Sequence, residues 1–544
     1  MNLFFNESNM ERRDIIKQLT ILPFAGSFLP LESILSASEG PLETGPNIYQ
    51  SIGVEPVINC MGTYTIIGGS IERPEVVEAM HAASGFFVQY DELAFAVGRR
   101  LAELTKSEWG MISSGCAAGM KHVTAACVAG GNPEKLIRIP DLTGFEKTEV
   151  IIPRSSRNVY DHAIRNIGVR IITVDTLEEL GRALNQRTAM IYVMTGDDTL
   201  PGEQFSIDKI AGLARPLNIP FLVDAAAEDL TIPNVHLNAG ATIVAYSGGK
   251  AICGPQCAGL LLGRKDILMS AWQASSPHHG TGRDNKVGKE EMLGMLAAVE
   301  AWVKRDHQEK YRIWMTYLDN ISKKISTIGG VSTSLREPTD LNNRSPQLII
   351  SWDREKFNIT GPDIAEMLAT TQPRIALHSR NSDKDSTTSV SVTAGQMQPG
   401  NDKIVADRLH ELLSGKYPKP KGMLPPAADI KGRWSVDIEY YSSKTRHTLF
   451  LEQDGNWIQG SHKGDFSLRE LVGTIEGDQV KLSSSEHLIA DNVPFIFSGT
   501  LSGDTITGKI YLGEYINANF TARRDNYKGA RRQIRYPKGQ PLSS

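Results

Sequence analysis

At 544 residues, with 40% hydrophobic and 22% charged side chains, the chain has room for more than one core and the balance of a soluble globular protein. Its formal net charge of −4 excludes a molecule built as a whole to coat nucleic acid or an anionic membrane. The five cysteines (Cys60, Cys116, Cys127, Cys253 and Cys257) are too few and scattered for a disulfide framework; no Cys/His pair joins Cys253 and Cys257 at zinc-ligand spacing, so no metal site is expected.

The first segment, residues 1–38, is signal-like. Glu11-Arg12-Arg13-Asp14-Ile15-Ile16-Lys17 resembles a twin-arginine export signal: two arginines, a variable residue, two apolar residues and a lysine. Residues 19–35 are apolar but broken by Pro23, Gly26 and Pro30, and Ser36-Ala37-Ser38 offers a cleavage point. The stretch is too short and too interrupted to span a bilayer, and no other apolar run reaches that length. Export of the folded protein to the periplasm is the expectation; an amphipathic helix packed on a cytoplasmic body is the alternative.

From about 50 to 415, short β-branched runs alternate with helical patterns and glycine-rich turns, which predicts an α/β domain with a mainly parallel sheet. Strands are expected at 150–152, 170–174, 189–193, 220–223, 242–245 and 259–262. A helix over 207–217 is opened by Ser206 as N-cap. A long helix over 289–307, with Met292, Met295, Leu296, Val299 and Val303 on one face, ends a large domain (50–307) and leads into a small α+β subdomain (308–415).

A proline-rich linker follows at 416–428, with Pro418, Pro420, Pro425 and Pro426. Beyond it, over 429–524, come eight short β-rich runs at 433–440, 445–453, 456–462, 471–475, 480–484, 495–501, 505–511 and 516–523. Asp454-Gly455-Asn456 and Ser502-Gly503-Asp504 are hairpin signals. The expectation is an antiparallel, lipocalin-like barrel, either an accessory module or a ligand holder. A basic tail (525–544), with Lys528, Arg531, Arg532, Arg535 and Lys538, reads as a solvated terminus, with an RNA- or lipid-binding segment as the alternative.

The chemistry lies in the α/β region. A pyridoxal-phosphate site needs a lysine to form a Schiff base, an acid to keep the pyridine nitrogen protonated, and a cradle for the phosphate, all at the carboxyl ends of strands. Phe221-Leu222-Val223-Asp224 ends one buried strand in a carboxylate. Ala245-Tyr246-Ser247-Gly248-Gly249-Lys250 ends the next in a lysine, 26 positions after the acid. Asp224 is placed to face the pyridinium, Lys250 to anchor the cofactor and then move protons, and Ser247 to donate to the phosphate. Upstream, Ser113-Ser114-Gly115-Cys116-Ala117 is a strand-to-helix junction, whose free N–H groups and positive dipole end suit a phosphate. A P-loop reading fails because Ser247-Gly248-Gly249-Lys250 lacks the first glycine and the following Ser/Thr. Ser113-Ser114-Gly115 likewise lacks the residues of a nucleophile elbow.

Val223-Asp224-Ala225-Ala226-Ala227-Glu228, Ala245–Lys250 and Gly254-Pro255-Gln256 resemble the bacterial selenocysteine-synthase-like family, which holds the L-seryl-tRNA(Sec) selenium transferases and the D-glucosaminate-6-phosphate ammonia-lyases. Val57-Ile58-Asn59-Cys60-Met61-Gly62-Thr63, Tyr160-Asp161-His162-Ala163-Ile164-Arg165, Lys286-Val287-Gly288-Lys289-Glu290-Glu291 and Gln398-Pro399-Gly400-Asn401-Asp402 carry it further, over about 50–415. The resemblance implies a fold-type-I pyridoxal-phosphate enzyme, a homodimer or an assembly of dimers with active sites at the interface. It implies His162 as the group stacked on the cofactor ring, Arg283 and Lys286 as grips for an anionic substrate, and Arg374 or His378 for a substrate carboxylate. A lyase acting on a small amino acid or amino-sugar acid, by α-proton removal, β-elimination and deamination, is favoured over a tRNA-dependent transferase. A transferase needs a basic tRNA surface and an N-terminal tRNA-binding domain. A non-catalytic ligand-binding protein on the same fold is the third reading.

Overall fold

The structure is a computed structural model that describes residues 41–419, 422–485 and 493–525. The signal-like segment at 1–38 and the basic tail beyond Asp525 lie outside the described residues. The described chain divides into two compact units, 41–419 and 422–525. No helix among the described residues is long and apolar enough to cross a membrane.

The first unit opens with β1 (Ile58–Asn59) and is centred on a 7-stranded sheet. Its strands are β2 (Trp109–Ser113), β3 (Glu149–Pro153), β4 (Arg170–Val174), β5 (Thr188–Met194), β6 (Phe221–Asp224), β7 (Ile243–Ser247) and β8 (Gly259–Gly263), in the order β2-β8-β7-β6-β5-β3-β4. The ladders from β7 through to β4 are parallel, whereas β8 runs antiparallel to both β7 and β2. All six expected strands are present, and β2 is the strand expected before the junction at Ser113. Every residue of β2, β3 and β8 is buried, because helices cover both faces and an apolar run suits a strand with no wet side. The packing helices include α1 (Pro74–Ser84), α2 (Tyr90–Thr105), α3 (Cys116–Ala129), α4 (Ile207–Ala214), α5 (Lys265–Ala274) and α6 (Lys289–Lys304). Ser206 occupies the N-cap of α4 without closing a side-chain cap bond.

The long helix expected over 289–307 is present but ends three residues early, and a second helix starts at its expected end. It stops at Lys304, Arg305 turns extended, and α7 (His307–Ile325) begins anew. The Asp306 carboxylate accepts from Glu309 N at 2.9 Å, so a capped new start replaces continuation. After α7 come β9 (Val331–Arg336), β10 (Gln347–Asp353), α8 (Gly361–Thr370), β11 (Ile375–Ala376), β12 (His378–Asn381), β13 (Thr387–Thr393) and α9 (Asn401–Leu413). Four of these strands form an antiparallel sheet in the order β12-β13-β10-β9, and β10 alternates buried and half-buried residues as a one-sided strand should. The N-terminal β1 pairs in parallel with β11, which ties residues 57–63 to this small subdomain.

The second unit is a closed barrel of β14 (Gly432–Glu439), β15 (Lys444–Asp454), β16 (Trp457–Lys463), β17 (Leu468–Glu476), β18 (Gln479–Ser485), β19 (Phe495–Ser502), β20 (Thr505–Leu512) and β21 (Tyr515–Arg524). Each of the eight expected runs is one of these strands, and β14 pairs with β21 to close the ring. The two hairpin signals are two-residue turns whose first residues, Gly455 and Gly503, have φ of 59° and 57°. The second half of the expected linker is not free. Leu424 N donates to Glu476 Oε1 at 3.2 Å and Ala427 N to Gly477 O at 2.7 Å, which satisfies backbone groups against the barrel. Inside the barrel, His447 Nδ1 and His462 Nε2 lie 2.8 Å apart, and His462 Nδ1 is 2.9 Å from Ser484 Oγ.

Candidate active site

Sheet register brings the expected groups to one edge. Ser113, the last residue of β2, is opposite Gly259 of β8. Gly259 is opposite Ser247, the last residue of β7, and Asp224, the last residue of β6, is beside Ala245 of β7. Cradle, lysine turn and acid therefore sit on neighbouring strand ends, although the cradle lies more than a hundred positions from the acid in sequence.

Asp224 is buried, with 3% exposure, and its carboxylate is held from three sides. Tyr192 Oη donates to Oδ2 at 2.9 Å. Ala226 N donates to Oδ1 at 3.1 Å, and the Cys116 thiol approaches Oδ1 at 3.7 Å. Burial pushes the Asp224 carboxyl above its ordinary value; the Tyr192 and Ala226 bonds and the positive charge of Lys250 act against that rise. Burial, and then the charge of Asp224, push the Cys116 thiol well up, so it stays a neutral donor.

Lys250 is half-buried in a pinned turn after β7. Gly248 N donates to Ala258 O at 2.8 Å, Gly254 N to Gly248 O at 2.9 Å, and Cys253 N to Lys250 O at 3.0 Å. A Cβ on Gly248 would stand 2.6 Å from Pro255 O and 2.8 Å from Ala258 O, so the turn requires glycine there. This folding of 247–258 on itself holds Lys250 where its positive charge acts on Asp224 and Cys116.

The cradle is the start of α3. Gly115 is its N-cap with φ of 84°, and the first N–H groups of the helix, from Cys116 onward, have no partner within it. Ser113 Oγ donates to Gly115 O at 2.9 Å, so this hydroxyl closes the turn instead of facing outward. Ser114, Cys116, Ala117 and Ser247 are half-buried at the same edge. The arrangement fits pyridoxal phosphate. A buried carboxylate lies against a helix N-terminus and within reach of a lysine's charge, and β8 presses so closely on the cradle that a Cβ on Gly259 would meet Gly115 C and O at 2.5 Å.

The remaining expected residues are more dispersed. His162 is exposed at the start of the short helix His162–Arg165, and no hydrogen bond or ion pair joins its ring to Asp224 or Lys250 among the described residues. Upstream of that helix, Asn158 reaches inward: its Nδ2 donates to Tyr192 Oη at 3.1 Å. Arg283 and Lys286 are exposed on a loop, where Arg283 Nη1 donates to Ser276 Oγ at 3.4 Å. Asp284 of that loop accepts from Lys121 Nζ of α3 at 2.8 and 2.9 Å, which docks the loop on the cradle helix. Arg374 is half-buried and lines a cavity of about 400 Å³ together with Asn59 and Gln396.

A larger cavity, of about 620 Å³, lies between the large and small subdomains and is lined by Ala251 and Ala227, close in sequence to Lys250 and Asp224. Asn59 shapes its rim. Asn59 Oδ1 accepts from Met61 N and Gly62 N, both at 3.0 Å, and Nδ2 donates to Gly62 O at 2.8 Å. His378 lines this cavity, and burial lowers its pKa. Tyr192 and the cationic lining of this cavity were not expected from sequence. A phenol inside the apolar run 189–193 was the available signal, because a buried hydroxyl requires a partner.

Residues 162–291 match the family model for aminotransferase class-V. The D-glucosaminate-6-phosphate ammonia lyase of Salmonella typhimurium is 32% identical over 301 residues, 54% of this chain and 79% of that protein. A 5′-C-glycyluridine monooxygenase-decarboxylase of a Streptomyces species is 29% identical over 69% of this chain and 94% of its own length. The L-seryl-tRNA(Sec) selenium transferase of Proteus mirabilis is 24% identical over 59% of this chain and 70% of that protein. A solved D-glucosaminate-6-phosphate ammonia-lyase superposes with a TM-score of 0.60 at 26% identity, covering 68% of this chain and 99% of that one.

Proposed function

We propose, given that the chain belongs to the selenocysteine-synthase-like family of fold-type-I pyridoxal-phosphate enzymes, that it is a lyase acting on a small amino acid or amino-sugar acid. The cofactor is pyridoxal 5′-phosphate, which supplies an electron sink for negative charge at the substrate's Cα. Lys250 would anchor it covalently and is the group that would take the α-proton of the substrate and return a proton later. Asp224 holds the ring nitrogen protonated, and Tyr192 and Ala226 keep the carboxylate aimed. The N–H groups at Cys116 and Ala117, with the Ser247 hydroxyl, hold the phosphate. For a β-hydroxy substrate, loss of water followed by hydrolysis releases ammonia and a 2-keto acid. Water is returned in the second step, so the atoms balance.

The observation that carries this reading is the register that sets Ser113, Gly259, Ser247 and Asp224 side by side at one sheet edge. The test is stoichiometric release of ammonia and 2-keto acid by the purified holoenzyme over serine, threonine and amino-sugar acids. A productive substrate whose turnover is lost in Lys250→Ala supports the lyase. Binding of seryl-tRNA without ketoacid release from any of them points to the transferase, and failure to take up cofactor points to a binding protein.

A further inference from the structure

Arg305 stands between two helices. Asp306 caps α7, α6 ends at Lys304, and the Arg305 backbone between them is extended, with φ of −67° and ψ of 135°. Its side chain turns back to the large subdomain, where Nη1 donates to Ala251 O at 3.4 Å and Nη2 to Ile252 O at 3.3 Å. These are the two carbonyls directly after Lys250. Cys253 shares a further hydrogen bond with the guanidinium, Asp229 acts on it with opposite charge, and the Trp302 ring lies 4.9 Å away.

The turn needs such a hold. Ile252 and Cys253 are buried, and Cys253 has φ of 58°, in the left-handed region, where a residue with a side chain is kept by its surroundings. Within the turn, Cys253 N donates to Lys250 O at 3.0 Å and the Cys253 thiol to Ala251 O at 3.5 Å. A buried carbonyl without a partner is costly, and Arg305 supplies a donor to each of two. The same junction holds the loop that follows the acid. Trp302 Nε1 donates to Leu230 O at 2.8 Å, six positions after Asp224, and the His307 ring packs edge-on against Trp302 at 4.5 Å.

We infer that Arg305 is the positioning residue of Lys250: its planar fork bridges Ala251 O and Ile252 O and so keeps the strained turn in the shape that brings the lysine amine to the cofactor's aldehyde carbon. In the bond that results, the amine nitrogen joins that carbon and the aldehyde oxygen leaves as water. The inference rests on Lys250 as the anchor, as the proposed function has it. Arg305 then matters for the covalent link and not for the cradle, which belongs to the start of α3.

The experiment titrates the cofactor-free full chain with pyridoxal phosphate and, separately, with pyridoxamine phosphate, in wild type, Arg305→Met and Arg305→Lys. Pyridoxamine phosphate carries an amine in place of the aldehyde, so it fills the same cradle without bonding to Lys250. Arg305→Met is expected to lose about 10-fold or more in affinity for pyridoxal phosphate and to keep that for pyridoxamine phosphate within about twofold. Arg305→Lys keeps the charge but not the fork, so a smaller loss with the same selectivity is expected; it carries the comparison if Arg305→Met does not fold. In a Lys250→Ala background, Arg305→Met is expected to have no further effect on pyridoxal phosphate. Equal losses for both ligands, no loss for either, or a further loss in Lys250→Ala overturns the positioning role. Borohydride labelling of wild type separates the two levels: label on Lys250 without a selective loss rejects the role of Arg305 alone, whereas label elsewhere or none rejects the anchor beneath it.

Discussion

The Tyr192 hydroxyl donates to Asp224 Oδ2 at 2.9 Å, between two side chains with 0% and 3% exposure. Asn158 Nδ2 donates to the same hydroxyl at 3.1 Å, so a directed chain runs from Asn158 through Tyr192 to the carboxylate. Such a chain favours the ionised acid inside a sheet edge where burial alone would neutralise it. Tyr192→Phe leaves Asn158 and Asp224 each short of a partner. Cofactor affinity is expected to fall about 10-fold, with a stability loss of about 1–3 kcal/mol. Absorbance titration and thermal unfolding measure the two; an unchanged affinity would show that the bond has no part in holding the acid.

The raised carboxyl of Asp224 has a consequence for the cofactor-free protein. An acid whose folded value lies above its unfolded value costs stability once pH passes the unfolded value, ordinarily 3.8, and the cost grows up to the folded value. Asp224→Asn removes that cost. Relative to wild type, the cofactor-free variant is expected to gain Tm at neutral pH compared with pH below 3.8. Its activity should fall by about 10² or more. Parallel Tm differences at both pH values would mean that the carboxylate is already fully paired without cofactor.

Gly259 tests the cradle. A Cβ there would stand 2.5 Å from Gly115 C and O and 2.6 Å from Cys116 N, and these are backbone atoms. Gly259→Ala must therefore push the start of α3 away from β8. Cofactor affinity should drop about 10-fold or more, with a stability loss of about 1–3 kcal/mol. Wild-type affinity in this variant would place the phosphate elsewhere.

The barrel carries its own pH dependence. Burial, then the neighbouring His447, lower the His462 pKa from 6.5 to about 3, and burial lowers His447 as well; Asp465 and Arg469 are the other charges acting on the pair. A histidine with a depressed folded value contributes stability that is complete above 6.5 and is lost as pH falls toward about 3. The barrel's unfolding midpoint should decline through that window, and His462→Gln should flatten the decline. Calorimetry of the full chain measures it, and an equal decline in the variant would assign the effect to other groups.

Much of the site was legible because its chemistry falls at strand ends, where local sequence is informative. Asp224 closes an apolar run, Lys250 follows two glycines that its turn requires, and Gly115 opens a helix. The barrel strands were legible from alternation and turn glycines. What was hidden depends on tertiary contact. The break at Arg305–Asp306 competes with an unbroken helical pattern and is decided by one capping carboxylate. The cationic cavity draws on residues near 61, 227, 305, 344 and 393, which no spacing connects. Tyr192 looked like one more buried strand residue until its partner was seen, and the exposure of His162 follows from a short helix that sequence does not orient.

Lys250 as the cofactor anchor is tested most directly by borohydride reduction of the holoenzyme followed by peptide mapping. The account predicts covalent cofactor on the peptide bearing Lys250, and no label or visible cofactor band in Lys250→Ala. Label on another lysine, or a band and label that persist in Lys250→Ala, would contradict it.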